Sequence, residues 1–120
     1  MTYSAFEVVV VPFPFTDRPV QKRRPALVLS SADFNSRHGH AILSMITTAR
    51  QSDWPTDVPL TDWKEAGLKL PCRVRLKLFT LDTALIDGSV GRLSTRDVDA
   101  VKAVLAQCFG LTVGFTYDPP

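Results

Sequence analysis

From Cys72 to Leu81 the chain alternates basic and apolar side chains: Arg73, Val74, Arg75, Leu76, Lys77, Leu78. Period two is the pattern of a strand with one face buried and the other presenting cations. A second stretch, Glu7 to Phe15 (EVVVVPFPF), is valine-rich and favours strand, and Pro12 and Pro14 send its end to a sheet edge or out of the sheet. Two further runs read the same way, Pro25 to Ser30 and Ala41 to Thr47, with a short strand at Asp57 to Leu60 and a last one at Ser89 to Leu93 after an Asp87-Gly88 turn. Helical signals are few. Thr61 to Gly67 suggests one turn, capped by Thr61 or Asp62 and ended by Gly67.

The convincing helix lies near the end of the chain. Ser94 is a good N-cap with Asp97 in the position of a capping-box acid, Val98, Val101, Val104, Leu105 and Cys108 share a face, and Gly110 ends it. On this reading Cys108 is a small core residue, and Ala32 to His40, with Asn35, Ser36 and Gly39, is an irregular stretch of turn residues. The expected architecture is mainly β: about five short strands in a small curved or barrel-like antiparallel sheet, with one packed C-terminal helix.

At 120 residues, the chain is expected to form one domain over residues 1–120, with a core that needs neither disulfides nor metal. No apolar run approaches the ~18 residues of a membrane span, and the N-terminus has no signal-peptide pattern. A cytoplasmic protein is therefore expected, with Cys72 and Cys108 as free thiols. The net charge is +2, but the cations are concentrated early: residues 1–50 hold six Lys/Arg against three acids. Such an excess fits an anionic partner.

The Lys22-Arg23-Arg24-Pro25 sequence gives that excess a place. Pro25 restricts Arg24 to extended backbone at the mouth of a strand, where a guanidinium can be aimed at a phosphate with two parallel hydrogen bonds. The plainer alternative is a solvated charge entering a strand. Thr16 to Arg23 is long for a hairpin loop, which makes Asp17, Arg18, Lys22 and Arg23 candidates for contacts to a ligand backbone. Thr47, Thr48, Arg73 and Arg75 stand at other predicted strand ends. Cations and hydroxyls together suit a phosphodiester, though they equally suit the exposed face of any β domain. Phe13, Phe15 and Trp54 are candidates for stacking on bases, or core residues. His38-Gly39-His40 gathers no further metal ligands by spacing and reads as a solvated loop. There is no phosphate-binding glycine loop, no dinucleotide pattern and no nucleophile elbow.

Taken in order, several of these segments resemble the MazF/PemK family of toxins from toxin–antitoxin modules. The segments are Val8 to Asp17, Arg24 to Ser30, Met45-Ile46-Thr47-Thr48, Leu70 to Arg75, Phe79 to Asp82 and Gly91 to Ser94. The resemblance implies an SH3-like barrel of about five to seven strands with a C-terminal helix. It implies a homodimer and a metal-independent, sequence-preferring endoribonuclease that needs no cofactor. Single-stranded RNA would lie in a groove across the dimer, and a partner antitoxin would cover that groove. Carried over position by position, the family's arginine before proline is Arg24, its threonine after isoleucine is Thr47, and the arginine of its Pro-Ser-x-Val-Arg segment matches Arg75.

The chain also departs from the family pattern. Cys72 replaces the family's serine, the alignment is one residue short between Arg75 and Lys77, and Leu76 and Lys77 stand where some members carry an acid. Asp17, His38 and His40 are the candidates for a proton acceptor. Two other functions remain open: a catalytically inactive relative that binds RNA or protein, and a gyrase-poisoning toxin of the same fold.

Overall fold

A computed structural model describes residues 2–13, 22–48 and 53–111. Among these residues six strands form one antiparallel sheet: β1 (Glu7–Phe13), β2 (Lys22–Val28), β3 (His40–Thr48), β4 (Val58–Pro59), β5 (Cys72–Asp82) and β6 (Gly88–Arg92), in the order β4-β5-β3-β2-β1-β6. Helix α1 (Ala32–His38) connects β2 to β3, and helix α2 (Thr95–Cys108) follows β6. The result is a curved half-barrel with a C-terminal helix, as the strand pattern predicts. No described helix is long and apolar enough to cross a membrane.

Two-residue alternation gives the sheet two apolar faces. Val8, Leu27, Ile46 and Val74 bury one face under α2, where Val101 is fully enclosed and Val98, Val104 and Leu105 pack alongside. Val9, Val11, Ala26, Val28, Ala41 and Leu43 line the other with Leu81 and Ile86. A valine-rich strand such as β1 can therefore sit in the middle of the sheet, apolar on both sides.

Several expectations need correction. Ala32 to His38 is a helix, although Asn, Ser and His are weak helix formers. Its ends explain this. The Ser31 hydroxyl accepts from the Phe34 amide, Gly39 adopts φ +60° as a left-handed cap, and its N–H donates to the Asn35 carbonyl. Asn35 is buried, and its amide nitrogen donates to the Tyr3 and Ser30 carbonyls at 2.9 and 3.2 Å. His38 accordingly ends a helix rather than standing in a loop. Cys108 is exposed instead of buried; it lies in the last turn of α2, beyond Leu105, the last helix residue packed against the core.

Thr61 to Gly67 is a run of hydrogen-bonded turns rather than a regular helix, and its cap comes from outside. The buried Asp97 carboxylate does not close a capping box. It accepts the Thr61 and Asp62 amides at 3.0 and 2.8 Å, so one acid of α2 ties down the start of this segment. The other end lies backbone to backbone against β6: a Cβ on Gly67, whose φ is +86°, would come within 2.1 Å of the Val90 carbonyl oxygen.

Asp62 adds a charged link between the same two pieces. Its carboxylate accepts from Arg96 Nε and Nη2 at 2.9 and 2.8 Å and from the Ser94 hydroxyl at 2.6 Å. The Arg96 guanidinium, then Ser94, lowers its pKa to about 2. A depressed carboxylate stabilises the fold above its unfolded value and loses that contribution as pH falls through the folded one. The melting temperature of Asp62→Asn is expected a few degrees below wild type at pH 6, with the gap closing between about pH 4 and pH 2. A gap that persists at pH 2 would mean that charge is not its source.

Candidate nucleic-acid interface

The register brings candidate residues from three neighbouring strands to one end of the sheet. Ala26 pairs with Met45 across β2 and β3. Arg24 lies two residues past Ala26, and Thr47 two past Met45, so both stand at the same end of adjacent strands and, by alternation, on the same face. Across β3 and β5, Thr47 pairs with Arg73 and Met45 with Arg75. Lys22 belongs to the same face by alternation. Farther along it the surface is the apolar cluster of Val28, Leu43 and Leu81. This face is thus core at one end and cationic at the other.

Arg24 is exposed, with its guanidinium carbon 5.8 Å from the centre of the Phe13 ring. Among the described residues no carboxylate pairs with it. Pro25 donates no hydrogen bond at the point where β2 leaves its ladder with β3, so the strand mouth opens there.

Arg73 and Arg75 differ from the expectation of a solvated cationic strand face. Their side chains are only 12% and 13% exposed. Asp57, 5% exposed, accepts from Arg75 Nε and Nη2 at 3.1 and 2.9 Å in a two-pronged bond. The same carboxylate lies 3.3 Å from Arg73 Nε and accepts the Trp54 amide at 3.0 Å. Asp53, 78% exposed, accepts from Arg73 Nη1. The indole of Trp54 covers the Arg75 guanidinium at 5.2 Å, so it caps an arginine rather than filling the core. The hydrogen bonds from Arg75 are the leading cause of the lowered pKa of Asp57.

A register shift aims Arg75. Ser44 pairs with Leu78 while Met45 pairs with Arg75, which leaves Leu76 and Lys77 as a bulge in β5. Two extra residues preserve the alternation of faces. The buried Ser44 hydroxyl donates to the Arg75 carbonyl at 2.5 Å and satisfies a group that the bulge takes out of the ladder. The bulge falls where the family alignment is irregular.

Other candidates are not brought to this face. Arg23 and Thr48 alternate to the opposite side, where both line a groove of about 410 Å³ with Pro25, Leu70 and Cys72. Arg23 also approaches Asp87 at 3.5 Å. Cys72 is buried in that groove, and burial raises its thiol pKa, as suits an inert thiol. His40 opens β3 and Thr47 lies near its end, roughly 23 Å away along an extended strand of ~3.3 Å per residue, while His38 ends the preceding helix. Within one chain both histidines therefore stand far from the Arg24 end. Asp17, Arg18 and Phe15 lie outside the described residues. Among the described residues no three His, Cys, Asp or Glu side chains gather as a metal site.

Sequence reasoning missed Asp53 and Asp57. Only the register exposes Asp57: Val58 pairs with Val74, so one step outward sets Asp57 beside Arg75.

No curated protein matches this chain, whereas solved structures match it in fold. A crystal structure of MazF from Deinococcus radiodurans superposes with a TM-score of 0.70 at 24% identity, covering 92% of this chain and 98% of that one. A MazE–MazF structure from the same organism gives 0.75 at 22%, covering 93% and 100%. An endoribonuclease in complex with its cognate antitoxin from mycobacterial species gives 0.72 at 17%, covering 92% and 96%. A family model described as PemK-like, MazF-like toxin of type II toxin–antitoxin system matches residues 4–109, nearly the whole described chain, and the protein belongs to that family.

Proposed function

We propose that the protein is a sequence-preferring endoribonuclease that cleaves single-stranded RNA without a metal ion, acts in the cytoplasm as a homodimer, and is held in check by a cognate antitoxin. The observation that carries this reading is the pairing of an exposed, forked guanidinium, Arg24, with the Thr47 hydroxyl on the next strand and the same face.

The chemistry follows from what these groups can do. The substrate's own 2′-oxygen attacks the adjacent phosphorus, the 2′-proton is lost, the bond to the 5′-oxygen breaks and that oxygen takes up a proton. The products are a cyclic phosphate and a free 5′-hydroxyl. Charge grows on the two non-bridging oxygens as phosphorus becomes five-coordinate. Arg24 suits those oxygens: it is always charged and donates two parallel hydrogen bonds. Thr47 donates a third. Neither is a good proton acceptor, so their contribution is electrostatic. Lys22 extends the cationic strip. Arg18, Arg23, Thr48 and Asp17 complete the proposed RNA contacts, Arg23 and Thr48 from the opposite face. Arg75 holds the strip in place through Asp57 rather than meeting a phosphate directly.

The antitoxin is proposed from family membership and from the neighbours solved with one. One observation favours a second reading, a relative that binds RNA without cutting it: Arg75 is already occupied by Asp57.

Purified protein incubated with a mixed RNA pool, with and without chelator, tests the main reading. Expected are fragments with 5′-hydroxyl ends in both samples, and rates for His38→Ala and His40→Ala within about two-fold of wild type. Binding without fragments would favour the second reading. Cleavage abolished by chelator would remove metal independence.

A further inference from the structure

Arg73 carries two carboxylates of unlike standing. Asp57 is enclosed, shared with Arg75 and tied to the Trp54 amide. Asp53 is 78% exposed and meets only the Nη1 end of the guanidinium among the contacts described. An ion pair with so exposed a partner contributes little, whereas one phosphate of a polyanion arrives with its neighbours already held nearby. Arg73 is also the cross-strand partner of Thr47, so its backbone stands next along the row from the proposed cleavage site.

Resting on the RNA reading above, we infer that Asp53 is a built-in competitor for substrate. Its carboxylate holds the Nη1 end of Arg73 until an RNA phosphate adjacent to the scissile one displaces it. Asp57 stays in place and keeps the guanidinium oriented, so the exchange involves one exposed side chain and no movement of the sheet. The residue would weaken binding of RNA in general and set a threshold of backbone charge that a ligand must bring. A short or singly charged ligand would not displace it.

The probe is a fluorescent random-sequence pool of 2′-O-methyl RNA, which has no free 2′-hydroxyl to attack, followed by anisotropy from about 50 to 300 mM salt. Asp53→Asn is expected to bind about three- to ten-fold tighter than wild type at 150 mM salt. Its log–log salt slope should steepen by roughly 0.7, the value for one more phosphate contact on a single strand. Asp53→Glu, which retains the competitor, should match wild type. Asp99→Asn, which removes an exposed acid of α2 instead, should change affinity less than two-fold. In an Arg73→Gln background, Asp53→Asn should bring no further gain.

Asp53→Asn binding no tighter than wild type would overturn the exchange, as would an equal gain for Asp99→Asn. Should Arg73→Gln fold poorly, the comparison of Asn, Glu and wild type at position 53 decides alone. Wild-type protein that binds none of the pool at any salt would overturn the RNA reading and the exchange with it; bound wild type with an unimproved Asp53→Asn overturns only the exchange.

Discussion

Arg24→Ala is expected to keep its fold and lose RNA cleavage by a factor of about 10²–10³, the usual cost of removing one preorganised donor to a developing oxyanion. The two halves of that expectation have separate grounds. The side chain is exposed, and its one described contact is with the Phe13 ring, worth roughly 0.5–1 kcal/mol at a surface. The melting temperature should therefore fall by no more than about 5 °C. Arg24→Lys should recover part of the rate, because it restores the charge without the fork. Thr47→Val should lose less than Arg24→Ala, about 10- to 100-fold, since a neutral hydroxyl meeting a charged oxygen contributes about 1.5–3 kcal/mol. Circular dichroism and a cleavage time course on one RNA separate folding from chemistry. Arg24→Ala with wild-type cleavage would end the assignment.

The parts of the fold that bury apolar side chains at period two or 3.6 were legible in the sequence. β5 alternates at period two and α2 repeats at 3.6, β1 and β3 read as strands from continuous apolar runs, and Ser94 marks the start of α2. What escaped depends on contacts between residues far apart in sequence. Asp97 looks like a local capping acid, yet it caps a turn 36 residues away. α1 owes its existence to two caps and a buried asparagine that outweigh weak intrinsic propensity.

The site shows the same division. Arg24 and Thr47 could be singled out because a proline and a strand end place each locally, and the register then sets them on one face. The alternation of β5 correctly gives the face on which Arg73 and Arg75 lie. It cannot say that β4 would bring an acid against that face. The cations there are consequently less available than a count of arginines suggests, and the exposed guanidinium of Arg24 gains importance by comparison.

That acid is the subject of the other large effect. Asp57→Ala is expected to lower the melting temperature by about 5–10 °C. The carboxylate accepts two bonds from Arg75 and one from the Trp54 amide, and it faces Arg73 Nε at 3.3 Å. Removing it leaves two mostly enclosed guanidinium groups short of their counter-charge, which is costlier than losing an ordinary surface pair. Asp57→Asn keeps the shape and an acceptor oxygen, so it should lie between alanine and wild type. The pH dependence separates charge from packing. Arg75 holds the Asp57 carboxyl below its ordinary range, so the ionic contribution is complete above about pH 4 and fades as pH drops through the lowered value. The gap between wild type and Asp57→Asn should therefore be widest near neutrality and narrow as pH falls below the ordinary carboxylate range, in thermal melts followed by circular dichroism. If Asp57→Ala melts with wild type at neutral pH, the arginines do not depend on that carboxylate, and the positioning role given to Arg75 through Asp57 falls.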